Sequence, residues 1–407
     1  MNKLRAILTT LTRNPSLSAV VSEGFFARLG FGVITFALPF YALSLGMSIT
    51  EIGLLASLRL VAAIAVKPLM GWAADRYGKK QVYVWSIAGR CVVGMLFALA
   101  TTPWALFVVR GLHGVTTAAR DPSSSILIAE HADENKMASA FSWYVTAKEI
   151  GSALGYLIAG VLLTLTHDHY TTVFLFSVLT SVAALVIVVR YVRNEREPVP
   201  VKPNEAAVPD PDLSPNRAWT EYAFLAVMIT LTGSMISNLF PIIASQHAGL
   251  NKAQISVIFT FSTLAVVFAG PFLGWFADNI SRNIVLSLRS VANTLSSVLY
   301  MYLPGFAGLT AARLVDDVGK AGFRPAWGSL IAEISALYGK KRRGRVIGYM
   351  DTAYSLGEAI GPVLAGLLWD SYGIFWMFAA RFGLSLATEI YAVWLMRFRS
   401  QPVSVGY

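Results

Sequence analysis

The chain has 407 residues, 55% of them hydrophobic and only 14% charged, with a mean hydropathy of +0.58. This balance excludes an ordinary soluble domain and predicts a chain that lies in a lipid bilayer. A single cysteine, Cys91, excludes a disulfide framework and a thiolate metal cluster, and no cofactor or metal is expected. The formal net charge of +10 follows from the membrane topology described below and requires no nucleic-acid partner.

Twelve apolar runs reach the length of about 20 residues that a bilayer-spanning helix needs. In chain order we call them spans 1 to 12, at residues 18–41, 52–74, 82–101, 104–129, 138–165, 172–191, 222–244, 255–277, 284–303, 306–332, 346–369 and 374–397. The stretch 193–217 is polar, holds six of the 17 prolines and is predicted to be a cytoplasmic linker. The sequence therefore predicts an all-α membrane protein of twelve transmembrane helices, in two six-helix units at residues 1–192 and 218–407.

The two halves repeat each other. Gly274 follows Gly71 by 203 residues, and the same offset joins Gly46 with Gly249, Pro68 with Pro271, Asp75 with Asp278, Arg110 with Arg313, Pro122 with Pro325 and Glu130 with Glu333. After three extra residues in a basic loop, the offset of 206 pairs Gly151, Gly155 and Gly160 with Gly357, Gly361 and Gly366. Each half is thus predicted to be the same structural unit, and duplication of a membrane protein is typical of a transporter.

Basic residues gather at the connections on one side of the predicted membrane domain. They precede span 1, join spans 2 and 3, occur in the linker, precede span 11 and follow span 12. The opposite connections carry Lys252 as their only Lys or Arg. The positive-inside rule predicts that both termini are cytoplasmic, and we expect an integral protein of the bacterial inner (plasma) membrane.

A charged turn follows the second span of each half, between spans 2 and 3 in the first half and between spans 8 and 9 in the second. Its first copy runs from Gly71 to Lys80, and the second copy keeps Gly274 and Asp278 but has Asn279 and Ser281 in place of an arginine and a glycine. Gly71 would let two helices approach closely, and Arg76 could bridge to a carboxylate such as Glu130 at the end of span 4. The alternative is that these charges only anchor the loop.

The first copy resembles the signature Gly-x-x-x-Asp-Arg-x-Gly-Lys-Lys of the major facilitator superfamily at every specified position. The resemblance covers essentially the whole chain and implies two pseudo-symmetric six-helix bundles around a central cavity that opens alternately to either side. It also implies a gating role for residues of the two turns and the carboxylates near them: Gly71, Asp75, Arg76, Gly78, Lys79, Lys80, Glu130, Gly274, Asp278 and Glu333.

Charged residues inside the spans are costly in a bilayer and call for a reason. Five of them on span 10 fall within an arc of about 100°, namely Arg313, Asp316, Asp317, Lys320 and Arg324. Span 4 carries Arg110, His113 and Asp121 at related places, so we expect both spans to present polar stripes to one cavity. The alternative is a set of structural ion pairs, for example between Arg313 and Asp317 at i, i+4.

Proton coupling has several candidate residues. Arg110, Gly114 and Ala118 resemble the family's motif Arg-x-x-x-Gly-x-x-x-Ala in span 4, which is linked to proton coupling. Lys148 and Glu149 lie near the predicted midplane of span 5, where a carboxyl group accepts a proton more readily than in water. Asp316, Asp317 and Glu358 are further candidates.

The predicted first half is basic, because Arg28 and Arg59 lie within spans 1 and 2. Such a cavity favours an anionic or zwitterionic solute. Aromatic residues on spans 1 and 5 would instead suit the amphipathic solutes of exporters, unless they only pack against other helices; these are Phe25, Phe26, Trp143 and Tyr144.

We therefore expect a secondary active transporter of a small organic solute, which works as a monomer by alternating access and exports the solute in exchange for protons. The family's exporters carry Gly-Pro in span 5, where this chain has Tyr156 after Gly155, so a symporter that imports an anionic or zwitterionic solute is the alternative. A receptor or assembly protein on the same fold, and a lipid flippase, are further alternatives. No nucleophile with its base, metal motif or cofactor motif is present, so an enzyme is not expected.

Overall fold

The computed structural model describes residues 14–132, 137–193, 217–280, 282–336 and 339–399. All thirteen elements in these ranges are α-helices. They are α1 (Pro15–Ser44), α2 (Ile49–Tyr77), α3 (Lys79–Leu99), α4 (Pro103–His131), α5 (Met137–Leu165), α6 (Tyr170–Tyr191), α7 (Arg217–Ser237), α8 (Phe240–Gln246), α9 (Lys252–Asn279), α10 (Arg282–Tyr302), α11 (Phe306–Ala336), α12 (Gly339–Tyr372) and α13 (Ile374–Arg399). Most of the predicted linker lies outside the described residues.

The predicted span 7 is not one continuous helix. It divides into α7 and the short α8, so that later helices carry a number one higher than their spans. Pro241 lies in the first turn of α8, where its fixed φ favours helix initiation and its missing N–H costs nothing. The break places Asn238 between the two helices, at the wall of the central cavity.

Seven helices are long and apolar enough to cross a membrane by length and composition alone: α1, α2, α3, α5, α6, α7 and α9. The other long helices fall short because they carry more polar and charged residues. On α4 and α11 these include Arg110 and Arg120, and Asp316 and Asp317, all of which are buried inside the protein. Charges that face other helices do not contact lipid, so low mean hydropathy is compatible with a membrane position.

The internal repeat is visible in local structure. Ser48 and Glu51 form a capping box at the start of α2, and Asn251 and Gln254 form one at the start of α9. These residues are related by the offset of 203. In each box the side chains of the two residues satisfy backbone N–H groups that the first helical turn leaves unpaired.

The glycines of α5 and α12 make equivalent close contacts. A Cβ atom added at Gly151 or Gly155 would collide with the backbone of α1, and one added at Gly357 or Gly361 would collide with the backbone of α7. Small residues at such positions let membrane helices pack backbone against backbone.

The third glycine of each series faces the opposite half. Gly160 of α5 contacts Ser256 of α9, and Gly366 of α12 contacts Ile49 and Thr50 of α2. The halves thus meet through two crossed helix pairs, α5 with α9 and α2 with α12.

The distribution of buried side chains shows where the halves separate. One core, which includes Phe36, Phe97, Phe240, Phe259 and Phe378, is shared by both halves and lies toward the end with the short, weakly charged connections. At the end with the basic connections, each half has a core of its own, around Tyr83 in the first half and Trp327 in the second. The halves are therefore joined at one end, and the central cavity lies between them.

Candidate functional site

A cavity of about 480 Å³ lies between the two halves, within the range of small-molecule binding sites. Its wall contains nine basic and three acidic side chains: Arg28, Arg59, Arg90, Arg110, Arg120, Lys148, Arg289, Arg313, Lys320, Asp121, Asp317 and Glu358. Both halves contribute to the wall, so a bound solute would contact both.

Arg28 and Arg59 lie on the first-half wall and share one aromatic neighbour. The guanidinium carbon of Arg28 is 4.9 Å from the ring centroid of Phe31, and that of Arg59 is 5.3 Å from the same centroid. The Nε atom of each arginine is buried and has no hydrogen-bond acceptor among the described residues. A site that held an anion could use these donors.

Arg110 and Arg313, which the repeat pairs, both line the cavity. Arg110 donates from Nε to the carbonyl of Leu55 at 3.3 Å, and its Nη1 lies 3.4 Å from Nδ1 of His113. His113 itself is buried and is not among the residues that line the cavity.

A buried ion pair in the first half was missed by the sequence analysis. Arg120 of α4 donates from Nε and Nη2 to the two carboxylate oxygens of Glu23 at 2.7 and 2.8 Å. The Tyr83 hydroxyl also donates to Glu23, and Nη1 of Arg120 lies 3.0 Å from the Asp121 carboxylate. Such a bidentate pair fixes α1 against α4. The available signal was Glu23 itself, the acidic residue within span 1.

Asp316 of α11 lies at the centre of a larger network in the second half. This fully buried carboxylate receives hydrogen bonds from Arg289 of α10 at 2.9 Å, from Lys320 at 2.8 Å and from Arg381 of α13 at 3.0 Å. Arg381 also donates to backbone and side-chain oxygens of α7 and α10. Arg289 and Arg381 were likewise not among the predicted site residues.

Asp317 faces the cavity beside this network. Its carboxylate lies 2.7 Å from Nε of Arg313, an ion pair without hydrogen-bond alignment, and accepts a hydrogen bond from Lys320 at 3.1 Å. The Arg313 guanidinium also lies 4.8 Å from the ring centroids of both Phe240 and Phe259. The polar stripe of span 10 thus contains both cavity-lining residues and the ion pair named as its alternative. The side chain of Arg324 lies outside the described residues.

The predicted coupling carboxylates occupy different environments. Lys148 lines the cavity, whereas its neighbour Glu149 is half-buried and is not a lining residue. Glu358 of α12 lines the cavity and forms no salt bridge with the described part of the chain. Asp317 and Glu358 are therefore the predicted carboxylates that a bound solute could reach.

Polar contacts across the halves reinforce the joined end. Asp370 of α12 accepts from the Thr50 backbone N–H at 2.8 Å, from the Thr50 hydroxyl at 2.6 Å and from the Ile49 N–H at 3.3 Å. The Ser57 hydroxyl donates to the carbonyl of Ala359, and Lys252 pairs with Asp168. These contacts connect α2 with α12, and the start of α9 with the connection after α5.

The charged turn between α2 and α3, for which a gating role is predicted, lies at the opposite end. Glu130 pairs with Lys79 rather than with Arg76, and the Arg76 guanidinium lies over the rings of Trp72 and Tyr77, 5.5 and 5.8 Å from their centroids. A Cβ atom added at Gly71 would meet no atom of the described residues within 4 Å. The close approach predicted for Gly71 is therefore not made to any described residue in this conformation, although Lys67, one turn earlier on α2, lies 3.6 Å from the Asp351 carboxylate of α12 across the halves.

For the other residues predicted to have a gating role, the structure gives only their local environment. Gly274 is equally open, Gly78 adopts a positive φ of 95° between α2 and α3, and Lys80 is half-buried at the start of α3. The side chains of Asp75, Asp278 and Glu333 lie outside the described residues.

The aromatic candidates on spans 1 and 5 do not line the cavity. Phe25 and Phe26 pack edge to face at 5.3 Å, and Tyr144 is buried and donates to Ser124. The aromatic wall is instead formed by Phe31, Tyr156, Phe259, Phe323 and Tyr354. Sequence alone could not distinguish these from packing aromatics, because the inward face of each helix depends on its neighbours.

Comparison with known proteins identifies the family. A family model described as Major Facilitator Superfamily matches residues 24–223 and 222–406. Multidrug resistance protein 1 of Bacillus subtilis (strain 168) is 23% identical over 370 residues, covering 88% of this chain and 90% of that protein. Multidrug resistance protein MdtG of Salmonella arizonae is 24% identical over 380 residues, covering 90% and 92%.

Solved structures show the same fold. The nucleoside transporter NupG aligns with a TM-score of 0.77 at 15% identity, over 94% of this chain and 100% of that chain. A POT family transporter in complex with 5-aminolevulinic acid aligns with a TM-score of 0.76 at 13% identity, over 95% and 98%. The predicted fold class of two six-helix bundles around a central cavity is confirmed. The chain belongs to the Major Facilitator Superfamily and is an integral membrane transporter, not an enzyme.

Proposed function

We propose that the protein is a secondary active transporter that exports a small organic solute by alternating access, in exchange for protons. The observation that carries this proposal is the arrangement of the cores, with one core shared by both halves at one end and separate cores at the other. Such halves can rock about the central cavity, which would expose it first to one side and then to the other.

The basic loops indicate which end of the protein faces the cytoplasm. The connection that contains Lys79 and Lys80 lies at the end where the halves have separate cores. If the positive-inside rule holds, that end faces the cytoplasm, both termini are cytoplasmic, and the structure is an inward-facing state in the plasma membrane. We retain the division into units at 1–192 and 218–407, with the linker 193–217 between them, as part of this proposal.

Glu358 is our candidate for the carboxylate that carries the proton. Asp316 and Asp317 each contact two or more cations, and a carboxylate held in this way must lose those partners before it accepts a proton. Glu358 lines the cavity without a salt bridge to the described residues. A solute entering the cavity could therefore compete with a proton at this side chain.

The direction of transport rests on the relatives. The two named above are multidrug resistance proteins of 23% and 24% identity, and this supports export. The cavity wall, with nine basic and three acidic side chains, supports the second candidate function, a proton symporter that imports an anionic or zwitterionic solute.

Proton movement in vesicles tests the proposal. Purified protein would be reconstituted with an internal pH dye, and organic anions, zwitterions and amphipathic cations would be added outside in turn. Antiport predicts that entry of a substrate makes the interior more alkaline, whereas symport predicts acidification. An absence of any substrate-dependent proton flux would contradict proton coupling in both forms.

Three variants locate the coupling residue. We expect Glu358→Gln to abolish proton flux while substrate exchange continues. Asp317→Asn should weaken substrate movement itself, because it leaves Arg313 and Lys320 without their shared partner. Glu149→Gln is the matched control, since Glu149 is half-buried but does not line the cavity. Loss of coupling in Glu149→Gln alone would transfer the role to that residue.

A further inference from the structure

Two arginines of the first half lie against one ring at the cavity wall. Arg28 and Arg59 place their guanidinium carbons 4.9 and 5.3 Å from the ring centroid of Phe31, and all three side chains line the central cavity. The two guanidinium groups interact as like charges, and an anion bound to both would relieve their repulsion.

Neither arginine has a carboxylate at salt-bridge distance among the described residues. In the described part of the chain, no hydrogen bond or ion pair joins either guanidinium to another residue, and both Nε atoms are buried without an acceptor. Other arginines of the wall differ, because Arg120 is paired with Glu23 and Arg289 with Asp316. The donors of Arg28 and Arg59 are therefore available to a ligand.

The surroundings of the two arginines fit the remainder of such a ligand. Tyr156 and Phe259 contact each other across the halves with their ring centroids 4.7 Å apart, and both line the cavity. Thr35, two turns from Arg28 on α1, also lines the cavity, and its buried hydroxyl has no hydrogen-bond partner in the part of the chain that the structure describes. An aromatic body could pack on these rings while a polar substituent reaches Thr35.

We propose that Arg28 and Arg59 form an oxyanion subsite for an aromatic organic anion whose ring packs against Tyr156 and Phe259. A planar guanidinium donates two parallel hydrogen bonds to a carboxylate or a phosphonate, which a lysine cannot do. The inference rests on the proposed transport function and defines its substrate class.

Equilibrium binding to the purified full-length protein in detergent tests the subsite. Isothermal titration calorimetry would compare 2-naphthoate with the neutral 2-naphthamide and the cationic 2-naphthylmethylamine. We expect 2-naphthoate to bind wild type at least about tenfold more tightly than the amide, because only the anion pairs with both arginines. A parallel titration with 2-naphthylphosphonate would identify which oxyanion the subsite prefers.

Substitutions assign the preference to the two arginines. Arg28→Gln and Arg59→Gln should each weaken 2-naphthoate binding by about tenfold or more and leave 2-naphthamide binding unchanged. The Lys variants should fall between, because they keep the charge but lose the planar fork. Arg190→Gln is the matched control: Arg190 also lies over an aromatic ring, that of Tyr191, but it is exposed and outside the cavity.

Three results would overturn the subsite: equal affinity of wild type for 2-naphthoate and 2-naphthamide, no binding of either oxyanion, or wild-type affinity for 2-naphthoate in both folded Gln variants. The comparison of 2-naphthoate with 2-naphthamide uses wild type alone, so it tests the subsite even if a variant does not fold. Titration calorimetry in detergent needs neither a membrane nor a proton gradient. Tight binding of 2-naphthoate without proton flux in vesicles would therefore support the subsite and contradict the proposed coupling.

Discussion

At the scale of single residues, the two halves stabilise their buried charges in different ways. Glu23 and Arg120 form a bidentate pair in the first half. In the second half Asp316 contacts three cations from three helices. The repeat does not relate these networks, because at the offset of 203 Arg120 corresponds to Phe323 and Asp316 to His113. A buried charge needs partners with good geometry, and each half supplies them separately.

Replacement of Asp316 by Asn should strongly destabilise the protein. The amide cannot neutralise Arg289, Lys320 and Arg381, and breaking a buried ion pair from one side costs about 3–5 kcal/mol. Thermal unfolding in detergent is the measurement. The control is Asp351→Asn. Asp351 pairs with Lys67, and the two side chains are 66% and 59% exposed, so this ion pair should contribute nothing measurable to the free energy of unfolding. Equal unfolding midpoints for the two variants would contradict this account of the network.

At the scale of helices, the paired glycines determine which helices contact each other. Gly151 and Gly155 bring α5 against α1, and Gly357 and Gly361 bring α12 against α7. In each series the third glycine, Gly160 or Gly366, contacts the other half. The glycine series of α5 and of α12 therefore each make helix contacts within one half and between the two halves.

Introducing a larger side chain into this stripe should destabilise the bundle. In Gly155→Val the new Cβ would meet the carbonyl of Leu29 and lie 3.1 Å from Cα of Gly32 and from the Val33 nitrogen. Backbone atoms cannot move aside as a flexible side chain can, so overpacking should cost about 1–3 kcal/mol. The unfolding midpoint in detergent should fall. Gly270→Val is the control, since a Cβ there meets nothing within 4 Å, and an equal fall in both variants would contradict the packing argument.

The contact between Asp370 and the start of α2 should stabilise the sealed end. Removing such a helix cap costs about 1 kcal/mol, so Asp370→Ala should raise the ratio of open to sealed molecules by about fivefold. Spin labels would be attached at Thr101→Cys and Leu303→Cys, one on each half at that end, in a Cys91→Ser background. Double electron–electron resonance should then show a longer distance between the two labels. Thr352→Ala, which removes a hydroxyl that donates to the Gly348 carbonyl within α12, should leave this distance unchanged. Unaltered distances in Asp370→Ala would show that the cap does not hold the seal.

At the scale of the whole molecule, much of the fold could be predicted from the sequence because the repeat is constant along the chain. The offset of 203 relates the capping boxes of α2 and α9 as well as the arginines Arg110 and Arg313 of the cavity wall. The division of span 7 at Asn238 was not predicted, since the run stays apolar through Pro241.

The partners of the charged residues were much less accessible to prediction. Glu23 lies 97 residues from Arg120, and Asp316 lies 65 residues from Arg381. Helical spacing identifies residues that share a face, but it does not specify which other helix that face meets. For the same reason the pairing of Glu130 with Lys79 rather than Arg76 required the structure.

The open position of Gly71 leads to a prediction about the whole transport cycle. In the present conformation no described atom lies within 4 Å of a Cβ at Gly71, although Lys67 and Asp351 pair across the halves one turn away. For the cavity to close there, α2 must approach the other half, and a large side chain at residue 71 would then obstruct it. Gly71→Leu should thus fold with an unchanged unfolding midpoint and bind solute from the basic side, but lose most of its transport in vesicles.

The matched control for this prediction is Gly383→Leu. Residue 383 lies on α13, is exposed, and also has nothing within 4 Å of its Cβ position, so it adds the same side chain away from the interface between the halves. Its transport should equal that of wild type. Full transport by Gly71→Leu would show that closure does not bring α2 against the other half at this glycine, and the gating role of the signature would then depend on its charges alone. Loss of transport only in Gly71→Leu would place the moving contact at the basic end of α2.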